Sequence, residues 1–464
     1  MLFTLAFRNI LRNRRRSAMT SMAIAVGTIA LLVFGAFQGY LFDSFHTNVV
    51  QRSGHLTVYR TGYFLFGEGN PSAYGIERYK KVLALIGDDP VLRPLIYVLT
   101  PTLSLMGIAG NFSGENDAAK TFIADAVIPS DRDRMRRWNA FGAGRVYPPD
   151  TNLDDNDPMR GFVGLGLARI LGLCRSLAIA NCPPPPAIHR EAPGVASEDF
   201  SNLRAEVAAA VTPNAAGKPR LDLLAATVTG APNVVSFFVN DAEPQPIREL
   251  DDNYVVMHLT LGQQLIYGRG EPRVTGIVLQ LRRSSDIGPA RNRLQALFDQ
   301  HGLELEVRDF AELNPFYTQT LNFFRSIFLF IAAIMGVIVL FTVVNTMTMT
   351  IMERTNEIGT TRAMGVRRGG IRRQFLVEGC MLGVIGASIG LVIAFLVAIG
   401  VNQAGLTWVP PANISAIPLR LSLLAQPALI VGTWVGLILV ATLAALIPAN
   451  RAARLQIVDA LRHV

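Results

Sequence analysis

Residues 345–379 read NTMTMTIMERTNEIGTTRAMGVRRGGIRRQFLVEG. The stretch starts as the end of a long apolar segment, crosses some twenty positions crowded with arginine, and re-enters an apolar segment. A charged turn between two apolar spans lies at a membrane surface, and its arginine excess places it on the cytoplasmic side. No proline occurs from position 355 to 363. Ile358, Arg362 and Gly365 fall on one side of a helical turn sequence while Glu357 and Thr361 stack at i,i+4, so the spacing predicts a short amphipathic helix. Gly365 supplies a C-terminal stop, and Arg362 sits in the last turn, where a cation is favoured. On charge alone, arginines that only set membrane orientation remain an alternative.

Outward from this loop, four segments are long and apolar enough to span a bilayer core, which takes about 20 residues: 17–41, 321–352 (strongly apolar from 324), 375–401 and 423–448. The first ends in Phe37, Tyr40, Leu41 and Phe42 instead of a small-residue cleavage site, so it reads as an anchor and not as a removable signal. Arginine clusters precede the first span (Arg8, Arg12, Arg14, Arg15, Arg16), separate the second from the third, and follow the fourth (Arg451, Arg454, Arg462). The positive-inside rule then predicts cytoplasmic segments at 1–16, 353–374 and 449–464, with residues 42–320 and the short loop 402–422 on the far side. The formal charge of +8 divides accordingly: residues 42–320 hold 31 of the 35 acids and 27 of the 43 bases, about −4, leaving +12 at the membrane boundary. Such a distribution does not imply nucleic acid binding.

The fold class this predicts is an α-helical membrane protein with four transmembrane helices and a large α+β domain inserted between the first two. In the insert, residues 55–60 alternate as a strand, 77–86 carry Tyr79, Val82 and Ile86 at helical spacing, and 121–128 form a brief apolar strand. Near its end, 273–281 alternate, 287–301 carry an apolar stripe of Ala290, Leu294, Leu297 and Phe298, and 303–307 alternate again, a strand-helix-strand unit. At the start of the chain, Phe3, Phe7, Ile10 and Leu11 share a face opposite Arg8 and Arg12, predicting an interfacial helix.

The ordered residues Glu353-Arg354, Asn356-Glu357-Ile358-Gly359 and Arg362-Ala363-Met364-Gly365 resemble the signature of the FtsX-like, MacB-type permeases, and RNILRNRRRSAMT at 8–20 resembles the start of that family. The likeness covers roughly 1–60 and 260–464. It implies a porter-like subdomain built from about 42–130 and 226–320, with a second subdomain inserted at about 130–225, where GFVGLGLARILGL (161–173) resembles a short helical motif and Pro183 to Pro186 do not fit the pattern. It also implies that the loop docks on an ATPase, with Glu353, Arg354, Glu357, Ile358, Gly359, Arg362, Ala363 and Gly365 making the coupling. The partners implied are a cytoplasmic ABC ATPase dimer, a second permease copy or paralogue, and a periplasmic adaptor or lipoprotein carrier, in a bacterial inner membrane with both termini cytoplasmic. The cargo implied for a LolC-, LolE- or MacB-like permease is a lipoprotein, lipid or exported hydrophobic compound. The competing reading is an FtsX-like signalling or scaffold protein that activates an envelope hydrolase.

No cofactor is expected in this chain, ATP and magnesium being bound by the partner. Six scattered histidines lack metal-ligand spacing; Gly217-Lys218 is followed by Pro219, which spoils a phosphate loop; and no GxSxG elbow appears. The spans are poor in ionisable groups, which argues against a hydrophilic pathway through them. Gly383, Gly386, Ala387, Gly390 and Ala394 form a small-residue pattern on the third span, for which packing against a second permease subunit is the preferred reading and packing within the four-helix unit the alternative. Cys174 and Cys182 share the compartment where thiols oxidise, which predicts a disulfide, the alternative being two buried thiols; Cys380 falls within the third span.

Overall fold

The computed structural model describes residues 2–67, 71, 73–112, 118–142, 148–179, 218–245, 247–409 and 416–456. The chain opens with α1 (Leu2–Arg12) and α2 (Arg14–Ser53), then β1 (Leu56–Arg60), α3 (Tyr79–Asp88), the long strand β2 (Ile96–Asn111), β3 (Ala118–Val127), α4 (Pro129–Arg137), β4 (Arg160–Gly164) and α5 (Leu165–Ile170). It continues through β5 (Arg220–Ala226), β6 (Pro232–Glu243), β7 (Tyr254–His258), α6 (Leu259–Tyr267), β8 (Gly276–Leu281), α7 (Ile287–Gln300) and β9 (Leu305–Asp309). Four helices follow: α8 (Pro315–Glu353), α9 (Thr355–Ala363), α10 (Arg368–Ala404) and α11 (Pro427–Arg454). The chain divides into a helical unit (1–44, 316–408 and 418–464) and a β-rich unit (45–315 and 409–417).

In the helical unit, α2, α8, α10 and α11 are each long and apolar enough to cross a membrane. Each of them outruns at one end or both the span that hydropathy marks, α2 the furthest. Polar residues from Asp43 onward end the apolar run, yet nothing breaks the hydrogen-bond ladder until Gly54, whose φ of +71° stops α2. Likewise α8 starts at Pro315 and not near 321, because proline is tolerated in a first turn. The α11 helix starts at Pro427, later than 423, for the same reason.

The small-residue pattern of α10 is consumed inside this unit, which corrects the preference for a second subunit. A Cβ at Gly386 would lie 2.7 Å from the Ser21 carbonyl oxygen, and one at Gly390 2.6 Å from that of Ala25, so α10 and α2 meet backbone to backbone. On another side, a Cβ at Gly379 would lie 2.5 Å from the Ala445 Cβ, and one at Gly383 3.1 Å from the Ile438 Cα, against α11. Ala387 and Ala394 are fully buried. The core so formed joins Ile24 and Leu31 to Val339, Val343, Leu382, Leu437 and Ala441.

The β-rich unit is organised by β2. Its first half pairs with β8, and the series β2-β8-β1-β9 is antiparallel throughout. Its second half opens a closed ring of six strands, β2-β3-β7-β4-β6-β5 and back to β2, in which β3–β7 and β4–β6 are parallel. At about 3.3 Å per residue, sixteen residues are long enough to serve both. Alternate residues point into the ring: Leu103 and Leu105 of β2, Phe122, Ala124 and Ala126 of β3, and Val255 and Met257 of β7 are all buried. The α6 helix packs on β2, β3, β5, β6 and β7.

The ring joins strands from 103–127 and 220–258 to β4 at 160–164, so its hydrogen bonding crosses the expected boundaries at about 130 and 225. Both parts also share one continuous core that runs from Leu56 and Val58 through Leu103 to Phe237 and Phe298. The stretch 161–173 is likewise not a helix throughout, since GFVG forms β4 and LGLARI forms α5. Its glycines are required by close approach: a Cβ at Gly161 would lie 2.1 Å from the Val256 carbonyl oxygen, and one at Gly164 2.1 Å from that of Asp251. The Asp251 carboxylate then accepts the backbone N–H groups of Leu165 (3.0 Å) and Gly166 (2.6 Å) at the start of α5. Pro183 to Pro186 and Cys182, the expected partner of Cys174, lie outside the described residues.

Candidate functional site

The loop that separates α8 from α10 folds as the proline-free run predicts. The α8 ladder ends at Glu353, Arg354 leaves helical geometry, α9 runs from Thr355 to Ala363, and Gly365, at φ +97°, turns the chain away. Glu357 lies in the first turn of α9 and Arg362 in the last, each at the end its charge favours.

Two kinds of contact hold α9 in place. Ile358 and Gly359 are buried, and Ile358 joins a cluster with Ile10 of α1 and Ile371 and Phe375 of α10. Around that apolar face the charges pair. Arg12 donates through Nη2 to both Glu357 oxygens at 2.7 and 2.8 Å, and its guanidinium is held further into the charged form by that carboxylate. Arg16 lies 2.5 Å from Glu353. Arg354, 4 % exposed, stands 3.7 Å from the Glu378 carboxylate and donates to the Asn9 carbonyl oxygen at 3.2 Å. Arg362 is half-buried, and its Nη1 donates to the carbonyl oxygen of Leu455 beyond α11.

The coupling residues expected from sequence therefore sort by environment. Ile358, Gly359 and Arg354 face inward, and Arg362 is tied to Leu455, just beyond α11. Glu353, Glu357, Ala363 and Gly365 are exposed, together with Asn356, Thr360 and the apolar Met352, Met364 (74 %) and Val366 (40 %). The loop thus presents a face in which apolar and small side chains are uncovered while every carboxylate is already paired with an arginine.

Sequence reasoning did not identify Arg12, Arg16, Asn9 and Leu455 as partners of this loop. A signal for the first two was present: outside residues 42–320 the chain has four acids, Glu353, Glu357, Glu378 and Asp459, among sixteen bases, so each acid has arginines to choose from. Asp459 lies outside the described residues, and among the described residues no cluster of metal-ligating side chains occurs.

Residues 329–457, which hold this loop and the helices on either side of it, match the FtsX-like permease C-terminal family. The chain is 28 % identical over 234 residues to the macrolide export ATP-binding/permease protein MacB of Hyphomonas neptunium, covering 50 % of this chain and 34 % of that protein. It is 32 % identical over 214 residues to the pyoverdine export ATP-binding/permease protein PvdT of Pseudomonas entomophila, covering 46 % of this chain and 30 % of the relative. With the ABC transporter permease YknZ of Bacillus subtilis it shares 30 % identity over 197 residues, covering 42 % and 46 %. The chain spans less than half the length of the curated relatives it matches. Residues 329–457 thus carry an FtsX-like permease match, and with four helices suited to a membrane and a β-rich domain the chain is similar to the permeases of MacB-type ABC transporters.

Proposed function

We propose that this chain is the transmembrane subunit of an ABC transporter of the mechanotransmission type, in a bacterial inner membrane with both termini cytoplasmic. In this reading a separate cytoplasmic ATPase dimer, which holds the ATP and magnesium, presses on α9 and the turn after it. The movement passes along α2 and α8 to the β-rich domain on the periplasmic side. The observation that carries it is that α9 is locked to its own chain by Ile358 and the Arg12–Glu357 pair, while the turn that follows it leaves Met364 and Val366 uncovered. A rigid mount with an apolar, unpaired surface is suited to receive a push. The lengths of α2 and α8, 40 and 39 residues, support transmission: at 1.5 Å per residue each is about 60 Å long, twice a bilayer core of about 30 Å.

Among the cargo classes, the names of the relatives, macrolide export and pyoverdine export, favour an exported compound over a lipoprotein. A second permease copy or a paralogue completes the complex, with a periplasmic adaptor as a further partner. The test is ATP turnover by the purified complex with its cognate ATPase. Met364→Glu, on the uncovered face, is expected to lower permease-stimulated turnover at least tenfold while the four helices still insert. Turnover and ATPase binding that match wild type would reject the docking face. Single-cysteine labelling at Thr229, in an exposed turn of the β-rich unit, and at Gly369 tests orientation: labelling from the same side of the membrane would reject the topology.

A further inference from the structure

Where β2 passes from the antiparallel sheet into the ring, its neighbours diverge and leave a cavity of about 590 Å³, within the range of sites that hold small organic ligands. All of its walls belong to the β-rich unit. The wall from β2 is polar by pattern: Thr100, Thr102 and Ser104 alternate with the buried Leu103 and Leu105, so hydroxyl groups face the space while leucines face the core. An ordinary core wedge would have been filled with apolar side chains.

The charges on the wall do not balance. Arg132 of α4 is 7 % exposed; its Nη1 donates to the Arg52 carbonyl oxygen, its Nε has no acceptor, and it forms no ion pair among the described residues. The carboxylate on the same wall, Asp125, is already engaged, accepting from the Tyr254 hydroxyl at 2.7 Å and lying 3.8 Å from Arg52. Two guanidinium groups and one carboxylate thus line the cavity, and an arginine cannot shed its proton to relieve the cost of burial. Part of the lining is aromatic. Tyr59 and Tyr63 stack with ring centroids 4.9 Å apart, and Phe64 meets Tyr59 edge-on at 5.0 Å. Met106, 56 % exposed, lies at the rim.

We infer that this cavity binds a small amphipathic anion, a carboxylate or phosphate group carried on an apolar chain, with the anionic head at Arg132 and the chain along Tyr59, Tyr63 and Phe64. The head supplies the counter-charge that Arg132 lacks, and the Thr102 hydroxyl, unlike that of Ser104, which donates to Asp125 at 3.4 Å, is left to donate to it. The inference does not rest on the permease reading, because binding is measured without ATP or a partner.

The experiment uses the full chain in nanodiscs of zwitterionic lipid, with empty nanodiscs subtracted, and titrates octanoate, octyl phosphate, octanol and inorganic phosphate by calorimetry. Octanoate and octyl phosphate are expected to bind at one site per chain and to compete. Octanol, lacking the charge, and inorganic phosphate, lacking the chain, are each expected to bind at least about tenfold more weakly. Arg132→Gln is expected to weaken both amphiphiles at least about tenfold, with Arg132→Lys retaining part of the affinity. Because Arg132 is buried, Met106→Glu carries the test where Arg132→Gln does not fold; it sets a like charge at an exposed strand position and is expected to weaken octanoate by a similar factor. Octanol binding as tightly as octanoate, inorganic phosphate competing as well as octyl phosphate, or wild-type affinity in folded Arg132→Gln or Met106→Glu would each overturn the inference.

Discussion

Arg354 and Glu378 stand 3.7 Å apart, each with about 5 % of its side chain exposed, and so form a buried ion pair between the end of α8 and the start of α10. The pair is under-satisfied: Arg354 Nε and one Glu378 oxygen have no hydrogen-bond partner. Removing one member strands the other charge, which typically costs about 3–5 kcal/mol, whereas replacing both with apolar residues of similar volume is often neutral or stabilising. Arg354→Met and Glu378→Leu are each expected to lower the unfolding temperature of the purified protein markedly, and the double variant to recover it. A double variant no better than the singles would show that the pair is not a closed electrostatic unit.

The Arg12–Glu357 pair is expected to behave differently although its geometry is better. Both side chains are more than half exposed, at 54 % and 57 %, and exposed pairs contribute about 0–1 kcal/mol. Arg12→Ala or Glu357→Ala should shift stability by less than about 1 kcal/mol, yet both should loosen α9 on its mount and reduce coupled ATP turnover. The charge reversal Arg12→Glu with Glu357→Arg should restore turnover. Hydrogen exchange of the α9 amides reads the loosening directly, and equal protection in all three proteins would assign α9 placement to Ile358 alone.

Glycine packing in the membrane helices gives a prediction with an internal control. A methyl group at Gly386 would sit 2.7 Å from a carbonyl oxygen of α2, while one at Gly432 on α11 meets nothing within 4 Å. Gly386→Ala is therefore expected to destabilise by about 1–3 kcal/mol through overpacking. Gly432→Ala should leave stability unchanged or raise it by up to about 1 kcal/mol through helix propensity. Thermal unfolding in detergent separates the two.

A pH dependence follows from His55, which is fully buried. Its Nδ1 accepts the backbone N–H of Leu281 at 3.0 Å, so Nε2 carries the proton and donates to Ser284 Oγ at 3.0 Å. Burial, with the neighbouring His46, brings its pKa down from 6.5 to about 3. A folded pKa below the unfolded one means that this contribution to stability is complete above about pH 6.5 and is lost progressively as the pH falls toward 3. The unfolding midpoint should decline between pH 7 and 4.5, and His55→Asn, which keeps an acceptor for Leu281, should be less stable at pH 7 but decline less. Parallel curves would remove His55 as the sensor.

Legibility from sequence followed the range of the interactions. The apolar stripes Tyr79, Val82, Ile86 and Ala290, Leu294, Leu297, Phe298 mark α3 and α7 because helical spacing is local, and both sets are buried. The turn at Gly365 and the short helix before it are local in the same way. The Arg12–Glu357 bond joins residues 345 positions apart, and no spacing rule reaches that far. The GFVGLG run was ambiguous because small and apolar residues fit either a strand or a helix; what fixes it is the close approach of the Val256 and Asp251 backbones, known only once β7 lies alongside. The extension of α2 past Asp43 was missed because hydropathy reports where a helix meets lipid, not where its ladder stops.

The double membership of β2 has a consequence for how the β-rich unit comes apart. Parts with separate cores can melt one after the other, but Thr102 bridges to Gly276 in one sheet while Leu103, its neighbour in the chain, bridges to Ala126 in the other. Neither sheet can let go of this strand without fraying the other, and the core beneath it is continuous. Sheet and ring are thereby made a single cooperative unit whose amides on both sides of residue 102 should exchange with solvent at the same free energy, in one opening.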